Sequence, residues 1–262
     1  EKPQQKAVEP EAMRLEERFI QHPALAIEQS RLTINAMAEE AKRNFVEAVA
    51  LLHGYSDERF KLVEDLERSV DRYEDKLGTY LVKVTEREMT AKQNAEVSKF
   101  LHTISDFERI SDHSINVVEN AQQMYKEGAV FSKKAKEEMK VYSTALRDIL
   151  ERTTNAFVDG DEALARTVEP LEEVIDELNK TVKKNHMKRL RKGKCTIELG
   201  LVLSDLAMNY ERVADHCSNI AVYMMQLTDT QLEEHSFTEQ MDEIESAEFT
   251  RKLEEFKQKY EL

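Results

Sequence analysis

An eleven-residue segment occurs twice in this chain, 103 residues apart. The first copy reads Asp106-Phe107-Glu108-Arg109-Ile110-Ser111-Asp112-His113-Ser114-Ile115-Asn116. The second reads Asn209-Tyr210-Glu211-Arg212-Val213-Ala214-Asp215-His216-Cys217-Ser218-Asn219. Glu, Arg, Asp, His and Asn coincide, an aromatic residue precedes each Glu, and a β-branched residue follows each Arg. A duplication of this length requires two copies of one structural unit. Each copy also carries a Glu and an Asp four residues apart, which places two carboxylates one turn apart on one helical face. The repeat thus constrains the architecture and marks a candidate site.

The composition fits helices. Gly (6) and Pro (4) are scarce and Trp is absent, while 34% of the residues are charged and 40% hydrophobic, as in long amphipathic helices. The pattern breaks at His53-Gly54, Gly128, Asp159-Gly160 and Gly193, and a cap at Thr90 divides the second segment, which predicts six long helices. They run over 24–52, 58–88, 90–126, 132–158, 161–191 and 195–227. In the first, Leu25, Leu32, Met37, Phe45, Val49 and Leu52 carry the apolar pattern. Thr90-Ala91-Lys92-Gln93 reads as a capping box for the third helix. Pro170 is expected to bend or delay the fifth. Ser236-Phe237-Thr238-Glu239 reads as the cap of a last, polar helix. The expected fold class is all-α: two tandem antiparallel three-helix bundles with a polar C-terminal helical tail. The corresponding divisions are a linker at 1–22, repeats at 23–128 and 129–227, and the tail at 228–262.

The second helices of the two units align as well, at an offset of 105 residues. Glu67 and Asp71 correspond there to Glu172 and Asp176. At ~100° per residue, Ile104, Phe107, Ser111, Ile115 and Val118 share a core stripe, with Glu108 and Asp112 at its edge. Leu66, Val70, Tyr73 and Leu77 do the same beside Glu67 and Asp71. Each unit is therefore expected to face one carboxylate pair with another across a helix seam. Crowded carboxylates demand protonation, a basic partner or a bound cation. The expected cation sites are Glu108, Asp112, Glu67 and Asp71 in one unit, and Glu211, Asp215, Glu172 and Asp176 in the other. All-oxygen ligation suits hard cations such as magnesium, manganese, calcium or ferric iron. His113 and His216 point ~100° away from the preceding Asp and are weaker ligands. Arg109 and Arg212 read as ion-pair or lobe-contact residues, and Asn116 and Asn219 as hydrogen-bonding groups across the seam.

Several functions are disfavoured. The net charge of −14 opposes nucleic-acid binding and direct binding to anionic lipid. The basic run Lys183 to Lys194 reads as a solvated helix end. No Gly-rich phosphate loop, nucleophile elbow or zinc-protease motif occurs, and no His has a Glu three residues before it, as a di-iron helix bundle needs. The expectation is a chain that is not an enzyme.

The paired segments Glu108-Arg109-Ile110-Ser111-Asp112-His113 and Glu211-Arg212-Val213-Ala214-Asp215-His216, each followed three residues later by Asn, resemble the signature of the PhoU family of phosphate-uptake regulators. The resemblance covers roughly 24–227. It implies a two-lobed all-α molecule with iron or zinc clusters on the acidic motifs. The run Leu15-Glu16-Glu17-Arg18-Phe19-Ile20, with Pro23-Ala24-Leu25-Ala26-Ile27-Glu28-Gln29, is similar to the junction before the cytoplasmic PhoU-like domain of bacterial sodium/phosphate cotransporters. With a start at Glu1 rather than Met, this implies a membrane transporter domain in the same parent chain and a location on the cytoplasmic side of the membrane. The alternative is a free cytoplasmic PhoU-type regulator of a phosphate ABC transporter and its sensor kinase. Metal identity and any homo-oligomer stay open.

Overall fold

Left-handed glycines and short turns set the topology. A computed structural model describes residues 15–229 and 238–262. Its helices are α1 (Pro23–Leu51), α2 (Asp57–Thr85), α3 (Ala91–Glu127), α4 (Lys133–Asp159), α5 (Glu162–Ala165), α6 (Val168–Arg191), α7 (Ile197–Asp229) and α8 (Thr238–Lys259). No strand occurs among the described residues. Gly128 closes α3 at φ 60° and Gly160 closes α4 at φ 67°, a region that side-chain-bearing residues enter only at a cost. The capping box at α3 forms as expected. Gln93 N–H donates to Thr90 Oγ1 at 3.2 Å, and Thr90 N–H to Gln93 Oε1 at 2.9 Å. Such a cap contributes about 1 kcal/mol.

Helices α1, α2 and α3 pack pairwise as one lobe, and α4, α6 and α7 as the other. The lobes meet where α3 lies against α7 and α1 against α4. Phe45 meets Tyr210 edge-on at 6.0 Å, and Phe107 meets Phe157 at 5.6 Å, so two aromatic pairs cross the interface.

Three expectations change, and the tail gains a contact. Leu25 and Leu32 are 53% and 61% exposed; α1 instead buries an alanine-rich face with Ala26, Ala38, Ala41 and Ala48, beside Ile34, Met37 and Phe45. Small side chains let α1 approach two neighbours closely, which a count of large apolar residues overlooks. The fifth helix is split. α5 ends at Ala165 and α6 begins at Val168, with Pro170 in its first turn, where a missing N–H costs nothing. Residues 15–22, placed in a linker by composition, pack against the first lobe. Glu17–Gln21 forms a 3-10 turn, Ile20 is buried, and Tyr80 Oη donates to the Glu16 carbonyl at 3.1 Å. The polar tail docks too. Phe256 of α8 and Tyr260, just past its end, are buried, and Lys259 and Tyr260 bind Asp148 of α4 at 2.8 and 2.6 Å. The Ser236 cap lies outside the described residues.

Candidate carboxylate clusters and the seam between the lobes

The duplicated motif divides its labour by position. Phe107 and Tyr210, Ile110 and Val213 are fully buried, and Ser111 and Ala214 nearly so. Those positions build the core, and Phe107 and Tyr210 also reach across to the other lobe. The third and seventh positions, Glu108/Asp112 and Glu211/Asp215, sit half-buried at the helix edge, where the sequence places them.

In the first lobe Glu108 and Asp112 face the row on α2. Burial, then the charge of Asp112 and a hydrogen bond to it, push the Glu108 carboxyl up to about 7, and Arg109 opposes the rise. Glu67 is raised by burial and then by Asp112 and Asp71. In the second lobe burial and the charges of Asp176 and Asp215 push Glu172 up to about 7. Asp215 is raised by burial, and Glu211 and Asp176 add to the rise against the opposing Arg212. The sequence-derived carboxylates therefore feel one another across the α2–α3 and α6–α7 seams.

The two clusters are not equivalent. The row on α2 continues to Glu74, raised by burial and by Asp75 and Asp71, and its charge reaches Glu108. At the matching positions the second lobe has Asn179, Lys180 and Lys183 where the first has Glu74, Asp75 and Gly78. Asn179 Nδ2 donates to Glu211, Lys183 Nζ lies 3.4 Å from the same carboxylate, and Lys180 lies 3.2 Å from Asp176. The second cluster is thus met by two lysines of its own α6 row, whereas in the first Glu108 is met by Arg109 of its own helix. Glu74 was legible one turn beyond Asp71; the contrast with Asn179 and Lys183 emerges only once the two rows are superposed.

Among the described residues no three Asp, Glu, His or Cys side chains converge closely enough to enclose an ion as they stand. The donor set is nonetheless the all-oxygen set of a hard cation, and the raised Glu108 and Glu172 carry repulsion that a cation would relieve. Arg109 and Arg212 are exposed and lean on carboxylates of their own helices, Glu108 and Asp215, each at 3.6 Å.

The eighth and eleventh positions join the lobes. His216 Nδ1–H donates to Asp106 Oδ1 at 2.7 Å, and Asn219 donates to the same oxygen at 3.3 Å. In the other direction His113 Nδ1–H donates to Asn209 Oδ1 at 2.8 Å, and Asn116 donates to it at 3.0 Å. Each acceptor is the first residue of the opposite copy of the motif, so the contact is reciprocal. Carboxylate and amide oxygens only accept, which fixes both imidazoles with the proton on Nδ1. Asp106 and Asn209 were not singled out from sequence. Their signal is the seven-residue step to His113 and His216, which puts them on the same helical face.

Fold and site define a class: a two-lobed helical protein with one half-buried carboxylate cluster per lobe. A family model described as PhoU domain matches residues 34–121 and 141–224, and the chain belongs to that family. It is similar to the phosphate-specific transport system accessory protein PhoU homolog 1 of Thermotoga maritima, at 32% identity over 129 residues. That match spans 49% of this chain and 55% of the relative, little more than half its length. The corresponding Deinococcus radiodurans homolog is 25% identical over 177 residues, covering 67% of this chain and 81% of that protein. Crystal structures of PhoU from Pseudomonas aeruginosa (TM-score 0.72, 20% identity, 79% of this chain and 98% of that one) and of the phosphate transport system regulatory protein PhoU from Streptococcus pneumoniae (0.69, 16%, 81% and 100%) share the fold.

Proposed function

We propose that this chain is a PhoU-type accessory regulator of a phosphate transport system and that it acts without catalysing a reaction of its own. The observation that carries this reading is the match of both repeats to the PhoU domain, together with relatives named as phosphate-specific transport accessory proteins. The carboxylate clusters are its proposed cation sites, held by Glu67, Asp71, Glu108 and Asp112 in the first lobe and by Glu172, Asp176, Glu211 and Asp215 in the second. A bound divalent or trivalent ion, such as iron, zinc, manganese or magnesium, supplies positive charge at the helix seam. The chain's own contribution is to hold seven of these carboxylates half-buried, with Asp71 exposed at the rim, and Glu74 adds to the demand in the first lobe. Deleting the gene in its host is the test. Phosphate uptake at ample phosphate should lose its restraint and recover when the chain is supplied in trans. Unchanged uptake in the deletion strain refutes the reading.

A second reading places the domain beneath the membrane part of a sodium/phosphate cotransporter. The docked entry segment favours it: Glu16 N–H donates to Gln29 Oε1 at 3.0 Å, and Lys83 binds Glu17 at 2.7 Å, so the chain enters α1 along a fixed path. Among the described residues no helix is long and apolar enough to cross a membrane. Sodium dependence of the regulated uptake separates the two readings.

A further inference from the structure

The turn between α6 and α7 contradicts the charge of the chain around it. Between Leu178 and Ser204 the single acidic residue is Glu198, against eight lysines and arginines. Arg189 is committed to the fold: it binds Glu138 of α4 at 2.8 Å, and Asn185 donates to the same side chain at 3.1 Å. Those contacts tie the end of α6 to the start of α4. Lys188, Arg191, Lys192 and Lys194 are exposed and make no ion pair among the described residues. Cations in the last turn of a helix suit its dipole, which accounts for Lys188 and Arg191. It covers the C-cap Lys192 as well, but accounts less for Lys194, two residues further on. It accounts still less for Lys134 and Lys136, exposed at the start of α4, where the dipole has the opposite sign.

Large apolar side chains are exposed at the same tip. Met187 is 49% exposed, Ile197 72% and Leu201 68%, within the last turns of α6 and the first of α7. Ile197 and Leu201 are four apart and share one outward face. A surface of exposed lysines without ion pairs among the described residues, and of exposed aliphatics, at a helical turn suits a flat anionic layer, which takes the charge at its headgroups and the apolar side chains at its boundary. The acidic clusters do not cancel this. Glu211, which reaches nearest to this end, is itself met by Lys183 at 3.4 Å, and Asp176 lies fifteen residues before Arg191, roughly 22 Å along the helix, against a screening length of about 8 Å at physiological salt. Local charge, not the net −14, then governs what this end meets, and the inference departs on that ground from the expectation drawn from the whole chain.

We propose that the α6–α7 tip, with the start of α4, is a docking surface for an anionic membrane. The inference does not depend on which transporter the chain serves. The test is sedimentation of the full chain with vesicles of phosphatidylcholine alone or mixed with phosphatidylglycerol, at about 0.1 M salt. Wild type should bind only the mixed vesicles. Each lysine near an anionic leaflet contributes roughly fivefold, so K188E/K192E/K194E should weaken binding by about a hundredfold or more, with unchanged helicity and melting. K188Q/K192Q/K194Q provides the same reading should charge reversal disturb folding. I197S/L201S, which keeps every charge, should weaken binding by about tenfold. No binding to mixed vesicles, equal binding to neutral ones, or retention by both lysine variants overturns the proposal. Binding to polyglutamate but not to vesicles also overturns it, in favour of an acidic protein.

Discussion

Glu108 tests whether burial, together with the neighbouring carboxylates, disfavours the charged form within the clusters. A carboxyl whose pKa is higher in the folded than in the unfolded chain disfavours folding once ionised. Its penalty is full above the folded value and vanishes below the unfolded one. For Glu108 that window runs from about 7 down to 4.5, so stability should rise as pH falls through it. The difference corresponds to about 3 kcal/mol at full ionisation. The side chain keeps 22% exposure, and solvent screening reduces the effect to about 1–2 kcal/mol. Glu108→Gln mimics the protonated form. In chelator, at pH 8, the variant should be more stable than wild type by that amount, which raises Tm by roughly 2–8 °C. At pH 4.5 the two should melt together. Thermal denaturation followed by circular dichroism across this range reads the effect. A variant no more stable than wild type at pH 8 refutes the reasoning, because the carboxylate would then be paired and not repelled.

Two further outcomes follow from the same geometry. Asp112→Asn should lower bound metal, by elemental analysis, more than Asp215→Asn does, because Lys180 and Lys183 partly neutralise the second cluster; equal losses contradict the asymmetry. Asp106→Ala removes the acceptor shared by His216 and Asn219 and should cost about 2–3 kcal/mol in denaturant unfolding. Adding His216→Ala should then cost little more, whereas full additivity would mean that the two residues do not act together.

Sequence periodicity revealed what lies along one helix better than what lies between helices. The rows Glu67/Asp71 and Glu108/Asp112 were legible because a four-residue step fixes a face. The capping box at Thr90 and the stops at Gly128 and Gly160 were legible for local reasons also. The alanine face of α1 was not, since alanine gives little amphipathic contrast while its small size decides how closely helices approach. The role of His113 and His216 was hidden because their partners, Asn209 and Asp106, are 96 and 110 residues away. Only the crossing of α3 with α7 brings them together, and no helical wheel contains that crossing. The docking of the C-terminal segment through Phe256 and Tyr260 was equally invisible in a stretch whose composition reads as polar.

The most direct test joins the clusters to regulation. In host cells lacking the gene, the wild-type chain and an Asp112→Asn/Asp215→Asn variant are expressed at equal levels, and phosphate uptake is measured at ample and scarce phosphate. The account predicts that wild type restores restraint at ample phosphate and that the variant, although folded, does not. Full restoration by the variant would contradict the claim that the half-buried carboxylates are the working part of this protein.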